Sequence, residues 1–372
     1  MKGLGIILAG GGNNKRLGKL TEARASSAMP IGGSYRCIDF TLSNMTNSGI
    51  NKVAVITQYN SRSLHDHLSS SKWWDLGRKQ GGLFIFTPYL SESNSYWFRG
   101  TADSIYQNIT YLKRSNEPYV VIASGNSVHK MDYNKIIQYH VDKESDITIA
   151  YSPILNKGDD IRQYGVMTLD ENERVLDFEE KPLEPQSNII SLGVYVVARV
   201  LLIKLLETIH AEGRYDLAQD IFARYRKRLR IFGYHYEGYW RALNSIRTYF
   251  DCNMDFLRRD VRDLFNHQYP FTETKPKDEP PAKYNLGASA VDSLVGSGAI
   301  LNGHVQRSVL FRKIYTGEGS SIVNSIVMDS CYIGNHCVVQ NAILDKEVVL
   351  SDGKQIIGNE DQPVIITKRT VL

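Results

Sequence analysis

The sequence predicts an α/β chain made of a doubly wound domain followed by a parallel β-helix. Three observations lead to this fold class. Short apolar runs alternate with amphipathic stretches up to residue 258, a proline-rich segment follows, and apolar residues then return every five or six positions. At 372 residues the chain also exceeds the size at which a single core usually stops growing.

The apolar runs of the first part are predicted to be buried parallel strands. They lie at residues 5–9, 53–57, 119–123, 146–151 and 193–198. Amphipathic helices are expected between them, at 102–115 and 134–143. Strand and helix alternating in this way define a domain over residues 1–258, whose ligands should bind at the carboxyl ends of the strands.

Residues 259–288 are predicted to be a linker, because Pro270, Pro276, Pro280 and Pro281 stand there among charged residues. The repeat that follows, over 289–372, suits a parallel β-helix in which each short strand stacks on the one below. An ordinary antiparallel sheet is the alternative. The apolar residues that carry the rhythm are Ile322, Val327, Ile333, Val338, Ile343 and Val348.

Composition excludes several classes of partner. A net charge of +4, from 44 basic and 40 acidic residues, is too small and too evenly spread to indicate nucleic-acid or membrane binding. No stretch approaches the roughly 18 continuous apolar residues of a membrane span. Four cysteines without Cys-x-x-Cys spacing are expected to be free thiols, so we expect a cytoplasmic protein.

A glycine-rich loop follows the first strand. Gly10, Gly11 and Gly12 are followed by Lys15 and Arg16, and such a loop can turn backbone N–H groups and cations toward a phosphate. The alternative is a tight turn without a ligand. The segment matches neither the P-loop nor the dinucleotide-binding fingerprint, so those two classes gain no support.

Several segments taken together resemble the bacterial glucose-1-phosphate adenylyltransferase family, also called ADP-glucose pyrophosphorylase. They are LAGGGNNKRLGKLT at 8–21, MPIGGSYRCIDFTLSNMTNSGI at 29–50, FRGTADSIYQN at 98–108, SGNSVHKMDY at 124–133, FEEKP at 178–182 and GYW at 238–240. The resemblance covers essentially the whole chain. It implies a Rossmann-like nucleotidyltransferase domain, a left-handed parallel β-helix, and a family that makes ADP-glucose and pyrophosphate from ATP and glucose 1-phosphate for glycogen synthesis.

The resemblance also implies that two aspartates should hold a catalytic Mg²⁺, and this sequence lacks both. The first position is Asn126, and the second is Ala242. An amide offers only a neutral oxygen to a hard cation, and alanine offers nothing. We therefore expect no catalytic residue at these positions and the loss of the Mg²⁺ site.

Other positions of the family pattern are partly retained. The resemblance assigns Lys181, with Glu180, to the glucose phosphate and Ser191 and Gly193 to a sugar-contacting turn, although a lysine beside glutamates can also be a surface ion pair. It assigns Gln58, Gly10, Gly11 and Arg16 to the nucleotide side.

Two departures weaken the expected nucleotide side. The glycine loop holds one extra residue, and Ser26 replaces a family lysine, so weak triphosphate binding is expected. Asp39 is expected to be a buried capping carboxylate and not a catalyst.

These features look closest to the D-type regulatory, catalytically deficient bacterial subunit of the family. That reading implies a catalytic partner subunit, a homo- or hetero-tetramer, and a sugar phosphate or nucleotide effector. Two alternatives are an active adenylyltransferase with an atypical metal site and a free-standing sugar-phosphate sensor.

Overall fold

The N-terminal domain is built on one mixed sheet with helices on both faces. The computed structural model describes residues 2–10, 15–77, 81–89, 96–154 and 160–372, without the side chains of residues 15 and 16. The strands of this domain are β1 Gly3–Leu8, β2 Pro30–Ile31, β3 Tyr35–Arg36, β4 Lys52–Ile56, β5 Gly82–Phe86, β6 Tyr119–Ser124, β7 Ser127–His129, β8 Ile147–Pro153, β9 Gly165–Leu169, β10 Val175–Glu180, β11 Ile189–Ala198, β12 Ile231–His235 and β13 Trp240–Ala242. The α-helices are α1 Cys37–Asn47, α2 Arg62–Leu68, α3 Thr101–Tyr106, α4 Ile109–Lys113, α5 Tyr133–Asp142, α6 Arg199–Ala211, α7 Ile246–Asp255 and α8 Arg259–Asn266. Short 3-10 segments lie at Lys15–Thr21, Ser26–Ala28, Ser71–Trp74 and Ile161–Gln163, and a π-helical segment lies at Ala218–Ala223.

Four parallel strands lie side by side in the order β5, β4, β1, β6, with β5 at the edge of the sheet. The side chains of β1, β4 and β6 are largely buried on both faces, whereas Phe84 of β5 is exposed. Ile7 belongs to the apolar cluster that includes α1 and α5, whereas its neighbour Ile6 belongs to the cluster that includes α3 and α6. Continuous apolar runs are what strands covered on both faces require, so the predicted doubly wound α/β class is confirmed.

Strand β11 departs from the predicted parallel arrangement. It runs antiparallel to both β6 and β8, and Val196 lies opposite Val121 on one side and Thr148 on the other. An apolar run indicates burial but carries no information about strand direction. The β9–β10 hairpin reverses the chain between β8 and β11, so the prediction of a parallel strand at 193–198 was wrong.

The helix predicted at 102–115 is divided into α3 and α4. Asn108 leaves the helical region, with φ −108° and ψ 23°, and its side-chain amide donates to the Ser104 carbonyl at 2.9 Å. Asparagine competes in this way with the regular backbone bonds of a helix. The helix predicted at 134–143 is α5.

The C-terminal domain is a left-handed parallel β-helix, as predicted. Its strands form three parallel sheets of five, and each coil stacks in register, with Ile322 between Val305 and Val339. These parallel pairings exclude the antiparallel alternative. The strands are β14 Lys283–Tyr284, β15 Ser289–Val291, β16 Leu294–Val295, β17 Ile300–Leu301, β18 His304–Gln306, β19 Val309–Leu310, β20 Tyr315–Thr316, β21 Ser321–Val323, β22 Ile326–Val327, β23 Tyr332–Ile333, β24 Val338–Gln340, β25 Ala342–Leu344, β26 Val349–Leu350, β27 Gln355–Ile357 and β28 Val364–Ile366.

One face of the β-helix packs on the N-terminal domain. Phe311 and Met328 of the β-helix share a buried apolar cluster with Met29, Ile31 and Phe256. This shared core fixes the two domains against each other, because separating them would expose these apolar side chains to water.

The range predicted as a linker contains regular structure at both ends. Helix α8 buries Val261 and Phe265, and β14 belongs to the first coil of the β-helix. Between them the chain is extended and held against α1, where the Thr274 hydroxyl donates to Asp39 at 2.5 Å. None of the helices in the described ranges combines the length and apolarity that crossing a membrane requires.

Candidate functional site

A cleft of about 540 Å³ opens at the carboxyl ends of the central strands. Gly10 follows β1, Gln58 follows β4, and Asn126 follows β6, so the ends of three neighbouring strands contribute to the cleft wall. Clefts of this size at this edge of an open α/β sheet are the usual place for a small-molecule ligand.

The opposite wall comes from the second half of the sheet. Glu180 and Lys181 lie at the end of β10, Gly193 and Tyr195 lie in β11, and Asp216 precedes the π-helical segment. Six predicted positions therefore line one cleft. They are Gly10, Gln58, Asn126, Glu180, Lys181 and Gly193. Gly11 and the side chain of Arg16 lie outside the described residues.

Lys181 and Glu180 form an ion pair at the cleft wall, with 3.2 Å between Nζ and Oε1. Lys181 has a left-handed φ of 53°, and its N–H donates to the Tyr164 carbonyl at 3.0 Å. Burial raises the pKa of the Glu180 carboxyl, Lys181 opposes the rise, and the nearby Asp216 carboxylate adds to it. The lysine cation and the partly buried carboxylate therefore lie side by side. Such a pair suits a ligand that carries a phosphate group, which the cation can bind, next to a hydroxyl group, from which the carboxylate can accept a hydrogen bond.

Ser191 does not line the cleft but supports residues that do. Its hydroxyl donates to the Tyr195 hydroxyl at 3.2 Å and accepts from the Gly193 N–H at 3.3 Å. Gly193 has φ +71°, and a Cβ there would lie 3.2 Å from the Cβ of Ser124. Position 193 therefore needs glycine, since a side chain would be both strained and crowded.

Arg99 is a cleft residue that was not singled out from the sequence. Its guanidinium carbon lies 3.8 Å from the centroid of the Tyr215 ring, and its Nη1 donates to the Tyr215 hydroxyl at 2.7 Å. The Asp103 carboxylate accepts from the Arg99 backbone N–H at 2.9 Å. The signal that could have found it was its place in the FRGTADSIYQN segment at 98–108, one of the segments that carry the family resemblance.

Asn126 and Ala242, far apart in the sequence, are neighbours in the structure. Strands β7 and β13 pair antiparallel with Ala242 opposite Ser127, and the Leu243 N–H donates to the Asn126 carbonyl at 2.9 Å. The Asn126 side-chain oxygen accepts from the Ser124 hydroxyl. Ala242 is 7% exposed and packs in an apolar cluster with Leu192 and Val194.

Comparison with known proteins agrees with this geometry. A family model described as "Nucleotidyl transferase" matches residues 4–259, and one described as "GlmU-like, C-terminal hexapeptide" matches residues 280–363. Proteins named "Glucose-1-phosphate adenylyltransferase" from Bacillus cytotoxicus, Bacillus mycoides and Bacillus anthracis are each 36% identical over 368 residues, covering 97% of both chains. The chain belongs to the glucose-1-phosphate adenylyltransferase family.

From the resemblance to this family, we expect carboxylates that bind Mg²⁺ at positions 126 and 242. The donors present do not fit that ion: one is a neutral amide oxygen already bonded to Ser124, and the other position is a methyl group. In the described part of the chain, no group of three or more His, Cys, Asp or Glu side chains is arranged to hold a metal.

The β1 side of the cleft, which the family resemblance assigns to the nucleotide, is poor in cations. Ser26 and Ser27 line the wall beside β1, and the Ser27 hydroxyl donates to the Ala9 carbonyl at 3.4 Å. Among the described cleft-lining residues, the cations are Arg99 and Lys181. Both lie away from β1, so this part of the wall offers hydroxyl groups where the resemblance expects a lysine.

A second, smaller cavity lies between the domains and is strongly basic. Asp329 pairs with Lys346 and lies 3.6 Å from Arg312, but it is outnumbered by the surrounding cations. The pKa of Lys277 is lowered, first by burial and then by repulsion from Arg312 and its neighbours. Its charged lining residues are Arg36, Lys275, Lys277, Arg312, Lys346, Asp66, Asp329 and the ionisable His67.

Proposed function

We propose that this chain is a regulatory subunit of glucose-1-phosphate adenylyltransferase, with little or no activity alone, that modulates a catalytic partner subunit. The observation that carries the proposal is that the two positions expected to hold the Mg²⁺ carboxylates are occupied by Asn126 and Ala242, which the β7–β13 pairing makes neighbours. We further propose a cytoplasmic location, because the four cysteines are buried free thiols that suit a reducing compartment. The family resemblance leads us to propose a homo- or hetero-tetramer.

The loss of both carboxylates bears directly on the reaction. Attack of a sugar phosphate on the α-phosphorus of ATP concentrates negative charge that a divalent ion normally offsets. Metal assistance supplies several kcal/mol, and at about 1.4 kcal/mol per tenfold its loss slows turnover roughly a hundredfold to ten-thousandfold. We therefore propose that the chain has lost its Mg²⁺ site.

The interdomain cavity supports a regulatory role. Its cations come from β3, from the linker segment and from the β-helix, so an anion bound there would touch elements of both domains. A ligand that prefers one arrangement of the domains shifts the equilibrium between arrangements. We propose that this cavity receives the phosphate of a phosphorylated effector, such as a sugar phosphate or nucleotide.

An active adenylyltransferase is the second candidate. It is favoured by the names of the relatives, which are those of the catalytic enzyme over 97% of the chain. The two candidates differ in what the isolated chain does with ATP and glucose 1-phosphate.

We expect the purified chain to form ADP-glucose at no more than about 1% of the rate of a catalytic partner from the same cell. Rates are measured with magnesium for the chain alone, the partner alone and the mixture. We expect the mixture to differ from the partner alone by severalfold in rate or in apparent substrate affinity, as a coupling of about 1 to 3 kcal/mol predicts.

Two other results of this assay would each favour a different function. A high rate from the chain alone would establish the second candidate. A mixture identical to the partner alone, with no co-elution of the two chains, would reject the regulatory role and leave a free-standing sugar-phosphate sensor.

Replacing Lys277 by alanine is expected to weaken binding of inorganic phosphate to the chain by about tenfold, because each charge-assisted bond contributes roughly 1.5 kcal/mol or more. Within the described residues no ion pair neutralises Lys277, so its removal leaves no unpaired acid. Calorimetric titration with phosphate measures the effect. Lys313→Ala, which removes an exposed lysine paired with Glu279, is the matched control and should bind as the unaltered chain does. Equal affinities for all three proteins would exclude the cavity as the phosphate site.

A further inference from the structure

A buried ion pair crosses the junction between the two domains. Arg24 Nη2 lies 2.6 Å from Asp345 Oδ1, and the two side chains are 5% and 4% exposed. Nη1 of the same guanidinium contacts the Met328 sulfur at 3.4 Å. Asp345 directly follows β25, so the carboxylate is presented by the β-helix and the cation by the N-terminal domain.

The segment that follows Arg24 forms part of the cleft wall. Ser26 and Ser27 line the cleft, and the Ser27 hydroxyl bonds to the Ala9 carbonyl beside Gly10. Met29 and Ile31, a few residues on, pack in the apolar cluster that includes the β-helix residues Phe311 and Met328. This short stretch therefore touches the cleft on one side and the β-helix on the other.

Burial makes this pair unlike the solvated ion pairs of the surface. Removing the Asp345 charge would leave the Arg24 guanidinium buried and uncompensated, so the arginine and the chain beside it would have to move toward water. A second interdomain pair, Arg247 with Asp361 at 3.5 Å, is 45% and 98% exposed and carries no such penalty.

We propose that the Arg24–Asp345 pair is a positioning contact that couples the β-helix to the cleft wall at Ser26 and Ser27. A shift of the β-helix at the domain junction pulls on Arg24 and moves that wall, and a ligand that fixes the wall biases the junction in return. The coupling goes beyond the proposed function, since it would operate in a regulatory or a catalytic chain alike.

Hydrogen exchange on the full chain tests the coupling without any ligand. The informative amides are those of Ala25, which donates to Asn60 at 3.1 Å, and of Ala28 and Met29, which close the 3-10 segment. Asp345→Asn is expected to speed their exchange at least tenfold while the exchange of α5 stays unchanged. Asp361→Asn, the matched control, should leave both regions as they are.

Two further variants keep the test decisive if Asp345→Asn lowers overall stability. Asp345→Glu keeps the charge and lengthens the side chain by one methylene, and we expect a smaller but local rise at 25–29. The swap Arg24→Asp with Asp345→Arg should return exchange toward that of the unaltered chain. Faster exchange confined to the β-helix, or equal effects of the Asp345 and Asp361 variants, would overturn the proposal. None of these readouts depends on the activity assays, so failure here is distinguishable from failure of the proposed function.

Discussion

Restoring both carboxylates, Asn126→Asp together with Ala242→Asp, is expected to raise magnesium-dependent ADP-glucose formation by at least a hundredfold over the unaltered chain. Asn126 directly precedes β7, and its carbonyl accepts from the N–H of Leu243, which directly follows Ala242, so the two new carboxylates would be introduced at neighbouring positions. Paired acidic oxygens are the donors a hard divalent ion prefers. A hundredfold gain in rate is the lower end of the rate enhancement that a bound metal ion gives to attack on a phosphorus atom.

The double variant also has a stability signature that does not require turnover. Ala242 is 7% exposed among apolar side chains, so an aspartate there is costly to bury without a cation. We expect the melting temperature to fall in EDTA and to recover with magnesium, because an ion that binds only the folded chain stabilises it. Differential scanning calorimetry in both buffers measures this.

A neutral pair of side chains separates the effect of negative charge from the effect of added oxygen ligands. Ala242→Asn with unaltered Asn126 supplies two amides but no charge, and it should show neither the magnesium effect nor the rate gain. Magnesium stabilisation of the double variant without turnover would mean that the changed glycine loop and Ser26 also block ATP, and adding Ser26→Lys would then be the informative step. No magnesium effect at all would contradict the proposed metal positions.

Replacing Asp39 by alanine is expected to lower the free energy of unfolding by about 3 to 5 kcal/mol, because it leaves buried partners without their acceptor. Asp39 is fully buried near the start of α1. It accepts from the Arg36 N–H at 2.8 Å and the Thr274 hydroxyl at 2.5 Å, and it pairs with His67 Nε2 at 2.6 Å. It thus joins the helix start, α2 and the linker segment, as a capping carboxylate should. Urea unfolding measures the change.

Asp66→Ala is the matched control for this prediction, since Asp66 is an exposed residue of α2 and we expect a change within about 0.5 kcal/mol. Asp39→Asn should cost less than Asp39→Ala, because the amide oxygen can still accept from Arg36 or Thr274. If Asp39→Ala left stability unchanged but altered the mixed assay with the partner, Asp39 would have a functional role and the capping account would be wrong.

Sequence reasoning reached the domain classes because each has a local rhythm. Of the apolar residues that carry the repeat, Ile322, Val327, Ile333, Ile343 and Val348 are buried in the β-helix, whereas Val338 is half-buried and its neighbour Val339 stacks on Ile322. The prediction of strand direction failed for β11, because that direction depends on the β9–β10 hairpin and not on the strand's own residues. Within the range 259–288, proline spacing pointed to a linker but did not reveal that Val261 and Phe265 of α8 would be buried.

In the cleft, too, the identity of the side chains could be predicted from the sequence, whereas their spatial relations could not. Asn126 and Ala242 were read directly from their motifs, because the chemical identity of a side chain is a property of the sequence alone. That they are neighbours follows from the β7–β13 pairing. Arg99 was missed because its importance lies in its contacts with Tyr215 and Asp103, which form only when the chain folds.

The sequence by itself determined the two fold classes, the family, and the identity of Asn126 and Ala242 at the positions where the resemblance predicts carboxylates. Only the tertiary structure decided the junction, where Arg24 meets Asp345 across 321 positions and cations from β3, the linker segment and the β-helix share one cavity. The physical reason is the separation along the chain over which each effect acts. Periodicity and motif chemistry involve residues that are near neighbours in the sequence. The pairing and desolvation of charges depend on which distant surfaces the shared apolar core brings together.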